Sequence, residues 1–272
     1  MNSNQITSSQ PKTGGIAENE KFTRFKDLHH AAGLFVLPNA WNAKSALALQ
    51  EKNFPAVATS SGAVASTLGY QDGGGLPFDD YLFVIRRILA SIRIPLSVDM
   101  ETGYGSSAES IYANIRTLID LGVAGINIED SIVNGSGRVL TDAATLAKTV
   151  EYVKNRLASE GVNLFINVRC DTYVTNNKQE TIGRVKIYES AGADGIFLPR
   201  LSAEEDIAAV VSNTKLPLNV ISVPGLPDFD TLTKLGVKRL TMGPFLFNKV
   251  YANIGQLAEA IGKSRSVSPL VG

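Results

Sequence analysis

The feature that most constrains the fold is an alternation of strand-like and helix-like segments that recurs eight times along the chain. Each strand-like segment is a short β-branched or apolar run that ends in polar, Gly or Pro residues. The eight runs are LFVLPNAW (34–41), AVATSSG (56–62), PLSVDME (95–101), GINIED (125–130), LFINVRCD (164–171), GIFLPR (195–200), LPLNVIS (216–222) and KRLTMGP (238–244). Stretches with helical periodicity separate them, and several end on Gly, which suits the left-handed residue at a helix C-terminus.

Eight such units in 272 residues favour an α/β fold of one closed (β/α)₈ barrel, the TIM barrel, over an open doubly wound sheet. An open sheet usually has fewer strands and a GxGxxG after the first, and this chain contains neither that fingerprint nor a GxxxxGK[ST] loop. No linker-like segment follows residue 20, so residues 21–272 are predicted to form one catalytic barrel domain. Residues 1–20 are polar and lack the apolar core of a secretory signal, which predicts a flexible tail.

Composition argues against several classes of partner. The 26 basic residues balance the 26 acidic ones, so neither nucleic acid nor an anionic membrane is an expected partner. The longest uncharged run, 53–71, is broken by Pro and Gly and is interpreted as core and loop rather than a membrane span. Cys170 is the only cysteine, which excludes an intrachain disulfide and favours a cytoplasmic setting. His29 and His30 are the only histidines and are assigned to an exposed first helix, so zinc is not expected.

Polar side chains cluster at the carboxyl ends of the third, fourth and fifth strands. Side chains alternate along a strand, so one face of each of these strands is apolar and the other is polar. The polar faces carry Ser97, Asp99, Glu101, Asn127, Glu129, Asn167 and Arg169. The carboxyl ends of barrel strands are where (β/α)₈ enzymes place their chemistry, so these side chains are the first candidates for an active site.

Acidic groups that converge without a nearby His or Cys cannot all stay ionised cheaply. A hard divalent cation relieves this repulsion, and Mg²⁺ suits a site of few carboxylates and several waters. The alternative is that these acids cap helices or pair with arginines such as Arg169. From the residues alone, both interpretations remain open.

A wider set of motifs resembles the isocitrate lyase/phosphoenolpyruvate mutase superfamily. The matching segments are PNAW, ATSSGAVASTLGYQD, VDMETGYG, GINIED, NVRCDTY, GADGIFLPR, PLNVIS and LGVKRLTMG, in this order between residues 22 and 262. The chain is similar in particular to short bacterial members without an assigned substrate. The resemblance implies a (β/α)₈ barrel in which Mg²⁺, with Mn²⁺ as a substitute, holds a 2-oxo acid.

The resemblance also implies a metal site and a catalytic set. Asp99 would be the direct metal ligand, and Asp72, Glu101 and Glu129 would hold metal-bound waters. Arg169 would neutralise charge on the substrate, so the candidate catalytic residues are Arg169, Glu129 and Asp99.

Substrate contacts are implied in the same way. Ser61, with the backbone N–H groups of Gly62 and Ala63, would bind the substrate carboxylate or phosphonyl group, and Asn219 would face it from the other side. Arg200 stands where methylisocitrate lyase has an acid, which suggests a second anionic group on the substrate. The alternatives are a tight strand-to-helix turn for residues 61–63, a strand-end hydrogen bond for Asn219, and a surface ion pair with a nearby Glu for Arg200.

Departures from the family pattern narrow the reaction. Isocitrate and methylisocitrate lyases carry a Lys-Arg-Cys-Gly-His segment after the I-E-D strand, but here residues 131–140 read SIVNGSGRVL, so those two activities are not expected. Asn134 and Ser136 match the polar lid of the mutase weakly, and the glycines around them suit a mobile lid. Thr59 replaces the Tyr or Trp of better-known members, and Glu101 replaces their Asp. Cys170 does not substitute for the missing thiol and is predicted to be a small buried hydrophobe.

Together, these features predict a Mg²⁺-dependent lyase that cleaves a carbon–carbon bond of a small anionic 2-oxo acid or its enolate, by decarboxylation or retro-aldol chemistry. Oxaloacetate-like or malate-like substrates are the first candidates. The alternatives are a phosphoenolpyruvate mutase-like enzyme that acts on a phosphorus–carbon bond, and a catalytically silent oxo-acid-binding homologue. The resemblance further implies exchange of the C-terminal helix around 254–263 between subunits, and a homotetramer built from such dimers.

Overall fold

The computed structural model describes residues 14–271 of the chain, with side chains from residue 19 onward. The strands are β1 Phe35–Leu37, β2 Asn39–Ala40, β3 Val57–Thr59, β4 Leu96–Asp99, β5 Gly125–Glu129, β6 Ser131–Asn134, β7 Gly137–Leu140, β8 Phe165–Arg169, β9 Gly195–Phe197, β10 Leu218–Ile221 and β11 Arg239–Thr241. The helices are α1 Gly14–His30, α2 Ala43–Glu51, α3 Ser61–Leu68, α4 Phe78–Leu89, α5 Ala108–Asp120, α6 Ala143–Glu160, α7 Thr181–Ser190, α8 Glu204–Ser212, α9 Phe229–Lys234, α10 Phe245–Ser264 and α11 Ser268–Val271. The predicted tail, residues 1–20, lies largely outside the described residues, and α1 begins within it.

Nine parallel strands form the main sheet, and its two end strands are two halves of one predicted strand. Pro38, which has no N–H to donate, separates β1 from β2; β1 pairs with β11, and β2 pairs with β3. The order β1-β11-β10-β9-β8-β5-β4-β3-β2 therefore returns to the same chain segment. Asn39 reinforces the closure, because its Nδ2 donates to the carbonyl of Thr59 at 2.8 Å and its Oδ1 accepts from the N–H groups of Met242 and Gly243 at 2.9 and 2.8 Å. The eight predicted strands thus form the predicted (β/α)₈ barrel.

The core lies between the strands and the surrounding helices. In β5, Ile126 and Ile128 are buried in this apolar layer, whereas Asn127 lies on the inner side of the barrel, as the alternation predicts. Helix α4 supplies Ile85 and Ile88, both fully buried, from one face of an amphipathic sequence. Each such side chain contributes about 1.5–3 kcal/mol of burial free energy, so the apolar layer holds the strand ends in fixed positions.

An antiparallel hairpin, β6 and β7, follows β5 where the sequence predicts a loop. Its turn closes when the N–H and Oγ–H of Ser136 donate to Oδ1 of Asn134 at 2.9 and 2.6 Å, with Gly137 at φ +106°. Val133 of the hairpin packs against Gly73, where a Cβ atom would lie 2.5 Å from its Cγ2. The hairpin therefore contacts the loop that carries Asp72. Whether it opens and closes as a lid remains a prediction.

Helix α1 packs against the amino-terminal end of the barrel, and the prediction of an exposed first helix is wrong for His29. His30 is exposed, but His29 is buried, donates from Nδ1 to the carbonyl of Phe25 at 2.8 Å, and stacks on Phe165 with ring centroids 4.0 Å apart. Burial, with a smaller contribution from Arg239, lowers the pKa of His29 to about 3. The imidazole is therefore neutral and packs among aromatic side chains.

Helix α10 carries an exposed apolar stripe. Val250, Ile254 and Leu257 lie at helical spacing on one face and are 37–53 % exposed. The exchange of this helix between subunits stays a prediction. Among the described helices, none combines the length and apolar character needed to cross a membrane.

Candidate active site

Strand ends from around the barrel converge on a cavity of about 150 Å³ at the carboxyl-terminal end. Its lining includes Ser61 and Gly62 after β3, Asp99 at the end of β4, Asn127 of β5 and Arg169 of β8. Asp72, Asn39, Phe197, Ile221 and Thr241 complete much of the wall. Because this is the end at which (β/α)₈ enzymes act, the cavity is the candidate active site.

Asp99 is held in place by neighbours from two elements. The N–H and Oγ–H of Ser61 donate to its Oδ2 at 3.2 and 2.8 Å. Its own N–H donates to Oγ1 of Thr59 at 3.0 Å, and that hydroxyl is in turn hydrogen-bonded to the phenol of Tyr81. The predicted metal ligand thus has a fixed position, and Thr59 contributes by orienting it.

The Gly-rich turn after β4 places a second carboxylate beside the first. Glu101 and Tyr104 adopt left-handed φ angles of 48° and 56°, and Gly103 has φ 102°. A non-Gly residue in this region costs about 1–2 kcal/mol. A Cβ atom on Gly103 would lie 2.7 Å from Ile111, so the turn requires glycine there. Strain of this kind is typical of positions where the chain is fixed for function.

The charges of the other acids act on the pKa of Glu101. Burial, and then Asp99, Glu129 and Asp72, raise its pKa to about 7, although a hydrogen bond from Tyr104 at 3.3 Å opposes the rise. The four predicted carboxylates therefore share one electrostatic environment, although Asp72 lies in the loop between α3 and α4 rather than at a strand end.

Arg169 is locked by two acids. Its Nε and Nη2 donate to the two oxygens of Asp171 at 2.7 and 3.0 Å, and its Nη1 lies 2.8 Å from Oε2 of Glu129. Burial alone would raise the pKa of Asp171, but Arg169 lowers it overall. For Glu129, burial raises the pKa to about 7 against the opposing effect of Arg169. Such a bidentate pair fixes the plane of the guanidinium as well as its position.

Arg138 is a site residue that the sequence analysis missed. From β7 its Nη1 donates to Oε1 of Glu129 at 2.5 Å, to Oγ of Ser131 at 2.8 Å and to Oδ2 of Asp171 at 3.2 Å. For residues 131–140 the sequence predicts a lid with Asn134 and Ser136 as its polar residues, and Arg138 is not among the candidates. The available signal was an arginine in the second strand-like segment after I-E-D, but only the pairing of β6 with β7 brings it back to Glu129.

The predicted substrate-binding residues fall into two groups. Ser61 and Gly62 line the cavity, whereas the N–H of Ala63 donates to Oγ of Ser60 at 3.3 Å as part of the cap of α3. Asn219 is buried with its Nδ2 unpartnered, and its Oδ1 accepts from Thr241 at 3.5 Å. Neither Ala63 nor Asn219 belongs to the cavity lining.

Other predicted positions lie away from the cavity. Arg200 is exposed at φ 66° and forms no ion pair with Glu204 or Glu205 within the described residues. Asn134 and Ser136 bond to each other at the hairpin tip. The prediction for Cys170 is confirmed: the residue is fully buried, with Sγ 3.7 Å from Oγ1 of Thr172.

The oxygen-only donor set fits a hard divalent cation such as Mg²⁺. Within residues 19–271, no group of three or more Asp, Glu, His or Cys side chains is close enough to hold a bare ion. A site with one direct carboxylate ligand, Asp99, and other carboxylates that act through water would satisfy both observations. Gly62 supports the cluster, because a Cβ atom there would lie 2.9 Å from the carboxylate of Asp72.

Sequence comparison with known proteins assigns the chain to a family. A sequence model of the family described as phosphoenolpyruvate phosphomutase matches residues 25–262. An uncharacterized protein of Mycobacterium tuberculosis (strain H37Rv) is 37 % identical over 222 residues, 80 % of this chain and 81 % of the relative. A 2-methylisocitrate lyase of Escherichia coli (strain K12) is 32 % identical over 57 % of this chain and 54 % of its own length. An oxaloacetate decarboxylase of Pseudomonas fluorescens (strain Pf0-1) is 30 % identical over 65 % of this chain and 63 % of its own length.

The matched range includes every strand of the barrel and the four predicted carboxylates, Asp72, Asp99, Glu101 and Glu129. The chain therefore belongs to the phosphoenolpyruvate phosphomutase family of the isocitrate lyase/phosphoenolpyruvate mutase superfamily.

Proposed function

We propose that the protein is a Mg²⁺-dependent lyase that cleaves a carbon–carbon bond of a small 2-oxo acid or its enolate. The observation that carries the proposal is the meeting of carboxylates and one fixed guanidinium at a single small cavity. Asp99 and Asp72 line that cavity, Glu101 and Glu129 share its electrostatic field, and Arg169 faces it.

The proposed role of each residue follows from its position. When bound, Mg²⁺ would supply positive charge next to the oxygen on which negative charge develops. Asp99, oriented by Ser61, would hold the ion directly, and the other three carboxylates would hold its waters. Arg169, fixed by Asp171, would bind and neutralise the substrate carboxylate at the same time.

Decarboxylation of an oxaloacetate-like acid is the reaction that we place first. Relatives at 30–32 % identity include a 2-methylisocitrate lyase and an oxaloacetate decarboxylase, and both names concern small organic acids. The hairpin at 131–140 lacks the Cys that serves the methylisocitrate and isocitrate lyases as proton donor. The decarboxylase relative therefore supports the proposal better than the lyase relative does.

Ser61 and Gly62 are proposed to bind the substrate carboxylate, because both line the cavity beside Asp99. The N–H of Ala63 already donates to the N-cap of α3, and the side chain of Asn219 lies outside the cavity lining. Each would have to move to reach the substrate. Arg200 would reach the substrate only from the surface. Contact of these three residues with the substrate stays a prediction.

A thermal-shift titration tests the function. The melting temperature of the wild type is measured with Mg²⁺ alone and with Mg²⁺ plus oxalate, a mimic of the pyruvate enolate, and the titration is repeated on Asp99→Ala. We expect a rise that needs both ligands, roughly 2.7 kcal/mol of stabilisation at 100 times the dissociation constant, and no rise in the variant. Asp120→Ala, which removes an exposed carboxylate on α5, is the matched control. No shift in the wild type would contradict the metal–enolate proposal.

A phosphorus–carbon enzyme is the second candidate, and the description of the matching family model is the observation that favours it. Conversion of phosphoenolpyruvate to phosphonopyruvate, followed by ³¹P NMR, would establish it. Binding of Mg²⁺ and oxalate without turnover of either class of substrate would instead indicate a catalytically silent homologue.

We also propose a cytoplasmic homotetramer of helix-swapped dimers. The exposed stripe of Val250, Ile254 and Leu257 on α10 supports it, because such a face gains free energy when a partner covers it. Light scattering on the intact protein and on Ile254→Ser gives the mass, and a monomeric wild type would contradict the proposal.

A further inference from the structure

A polar layer crosses the inside of the barrel directly beneath the cavity. Arg239 of β11 is fully buried, and its Nη2 donates to Oδ1 of Asn127 of β5 at 3.3 Å. If β1 and β2 are taken as one interrupted strand, β5 lies four strands from β11 in either direction. The side chains of Arg239 and Asn127 therefore meet inside the barrel from opposite walls.

The contacts of Asn127 fix the direction of its amide. Its Oδ1 accepts from Arg239 and also from Nδ2 of Asn167 at 2.9 Å. A guanidinium has donors only, so the atom of Asn127 that faces it must be the oxygen. The Nδ2 group is thereby turned away, donates no hydrogen bond within the described part of the chain, and belongs to a residue that lines the cavity.

The neighbouring backbone makes room for this arrangement. Gly195 is the register partner of Asn167, and a Cβ atom at that position would lie 2.7 Å from Oδ1 of Asn167. A side chain there would push the Asn167 amide away from Asn127. The layer is therefore built to hold one amide in one orientation.

The positive charge of Arg239 does not stabilise the fold through an ion pair with any described residue. Its Nε and Nη1 are buried without a partner, and it forms no ion pair within the described residues. Burial lowers its pKa to about 9, and only Asp99 above it opposes that effect. An uncompensated buried cation is costly, and apolar replacements of buried charges are often neutral or stabilising. A role in the cavity above would account for a residue that folding alone does not favour.

We propose that Asn127 is a substrate-binding residue, which donates from Nδ2 to an oxygen of the anionic ligand, and that Arg239 is its positioning residue. The ligand class rests on the proposed function: a small 2-oxo acid or its enolate, with an oxygen directed at the cavity floor. Arg239 orients the amide and places positive charge beneath that anion, opposite the carboxylates.

Two substitutions at Asn127 test the contact. Asn127→Asp is nearly isosteric, keeps an oxygen for Arg239 and replaces the free donors with a charged acceptor; Asn127→Ala removes the amide altogether. Calorimetry with oxalate at saturating Mg²⁺ measures the dissociation constant. We expect it to rise roughly 10- to 100-fold in both variants, the effect of losing a hydrogen bond to a charged group. Asn213→Asp, the same change at an exposed position, should leave it unchanged.

The outcomes separate the two proposals. Oxalate binding in the wild type with an unchanged dissociation constant in both Asn127 variants would overturn this inference and leave the proposed function standing. Failure of the wild type to bind oxalate with Mg²⁺ would overturn both.

Arg239→Met tests the positioning role. We expect a melting temperature equal to or above that of the wild type, because an unpaired buried cation is removed, together with oxalate binding about tenfold weaker. An NMR titration should also show a higher pKa for His29, since Arg239 contributes to its depression. A lower melting temperature, or unchanged oxalate affinity, would assign Arg239 a structural role and overturn the positioning proposal.

Discussion

The two ends of the barrel solve the problem of buried polar groups in opposite ways. At the carboxyl end, Arg169 and Arg138 meet Glu129 and Asp171 in a network in which charge is matched by charge. At the amino end, His29 is kept neutral among aromatic rings. The difference teaches that the carboxyl end, the mouth of the barrel, depends on precise ionic geometry for its chemistry, whereas at the amino end, the base, the packing of His29 depends on a neutral imidazole.

The largest expected effect comes from disturbing the ionic geometry at the mouth. Arg169→Lys keeps the positive charge but loses the fork that binds both oxygens of Asp171. We expect kcat/KM for oxaloacetate decarboxylation to fall ~100- to 1,000-fold, the usual cost of removing one preorganised donor. Arg156→Lys, an exposed arginine on α6, is the control. Equal activity in both variants would mean that the fork has no role in the transition state.

His29 at the base should make the stability of the fold depend on pH. The folded-state pKa of His29 is about 3 against 6.5 for the free side chain, so the unfolded chain binds a proton that the folded chain excludes. The stabilisation is complete above pH 6.5 and is lost as the pH falls from 6.5 toward 3. Linkage gives a loss of about 2 kcal/mol in the contribution of His29 to the free energy of unfolding between pH 7 and pH 5.

Urea denaturation at several pH values measures this loss, and His29→Phe is the matched variant because it keeps an aromatic ring on Phe165. The difference between wild type and His29→Phe should change by about 2 kcal/mol across that interval. A constant difference would show that water reaches the imidazole and that the base is not sealed.

A smaller effect is expected from the hairpin, which joins the network from outside the barrel. Arg138→Ala removes one of the two cations on Glu129 and one contact of Asp171. We expect kcat/KM to fall about tenfold, which corresponds to about 1.4 kcal/mol, and cleavage between residues 131 and 140 by a protease to accelerate. Ile132→Ser, an exposed change on the same hairpin, is the control. Faster cleavage with full activity would limit Arg138 to anchoring the hairpin.

The sequence predicted the parts of the molecule that depend on local periodicity. Strand alternation located Asp99 and Glu129 on the polar faces, and the count of units predicted the closed barrel, but Glu101 lies in the turn after β4 rather than on the predicted strand. Arg138 and Arg239 could not be found in this way, because their partners lie on strands that only the three-dimensional fold brings near. His29 did leave a signal: Phe22, Phe25 and His29 lie at i, i+3 and i+7 on α1, the spacing of a buried helical face.

The smallest expected effect on activity is at Cys170. This residue belongs to the buried apolar layer, so its substitution should affect turnover far less than a substitution at the mouth. Burial, and then Asp130, raise the pKa of the thiol, so no thiolate is available at neutral pH. Cys170→Ala should cost about 1 kcal/mol of stability through the lost packing and leave kcat/KM within a factor of two. The adjacent Arg169, one residue away on the inner face, provides the comparison, because its substitution is expected to act on turnover rather than on folding. A loss of turnover in Cys170→Ala with normal stability would instead identify the thiol as the proton donor that the hairpin lacks.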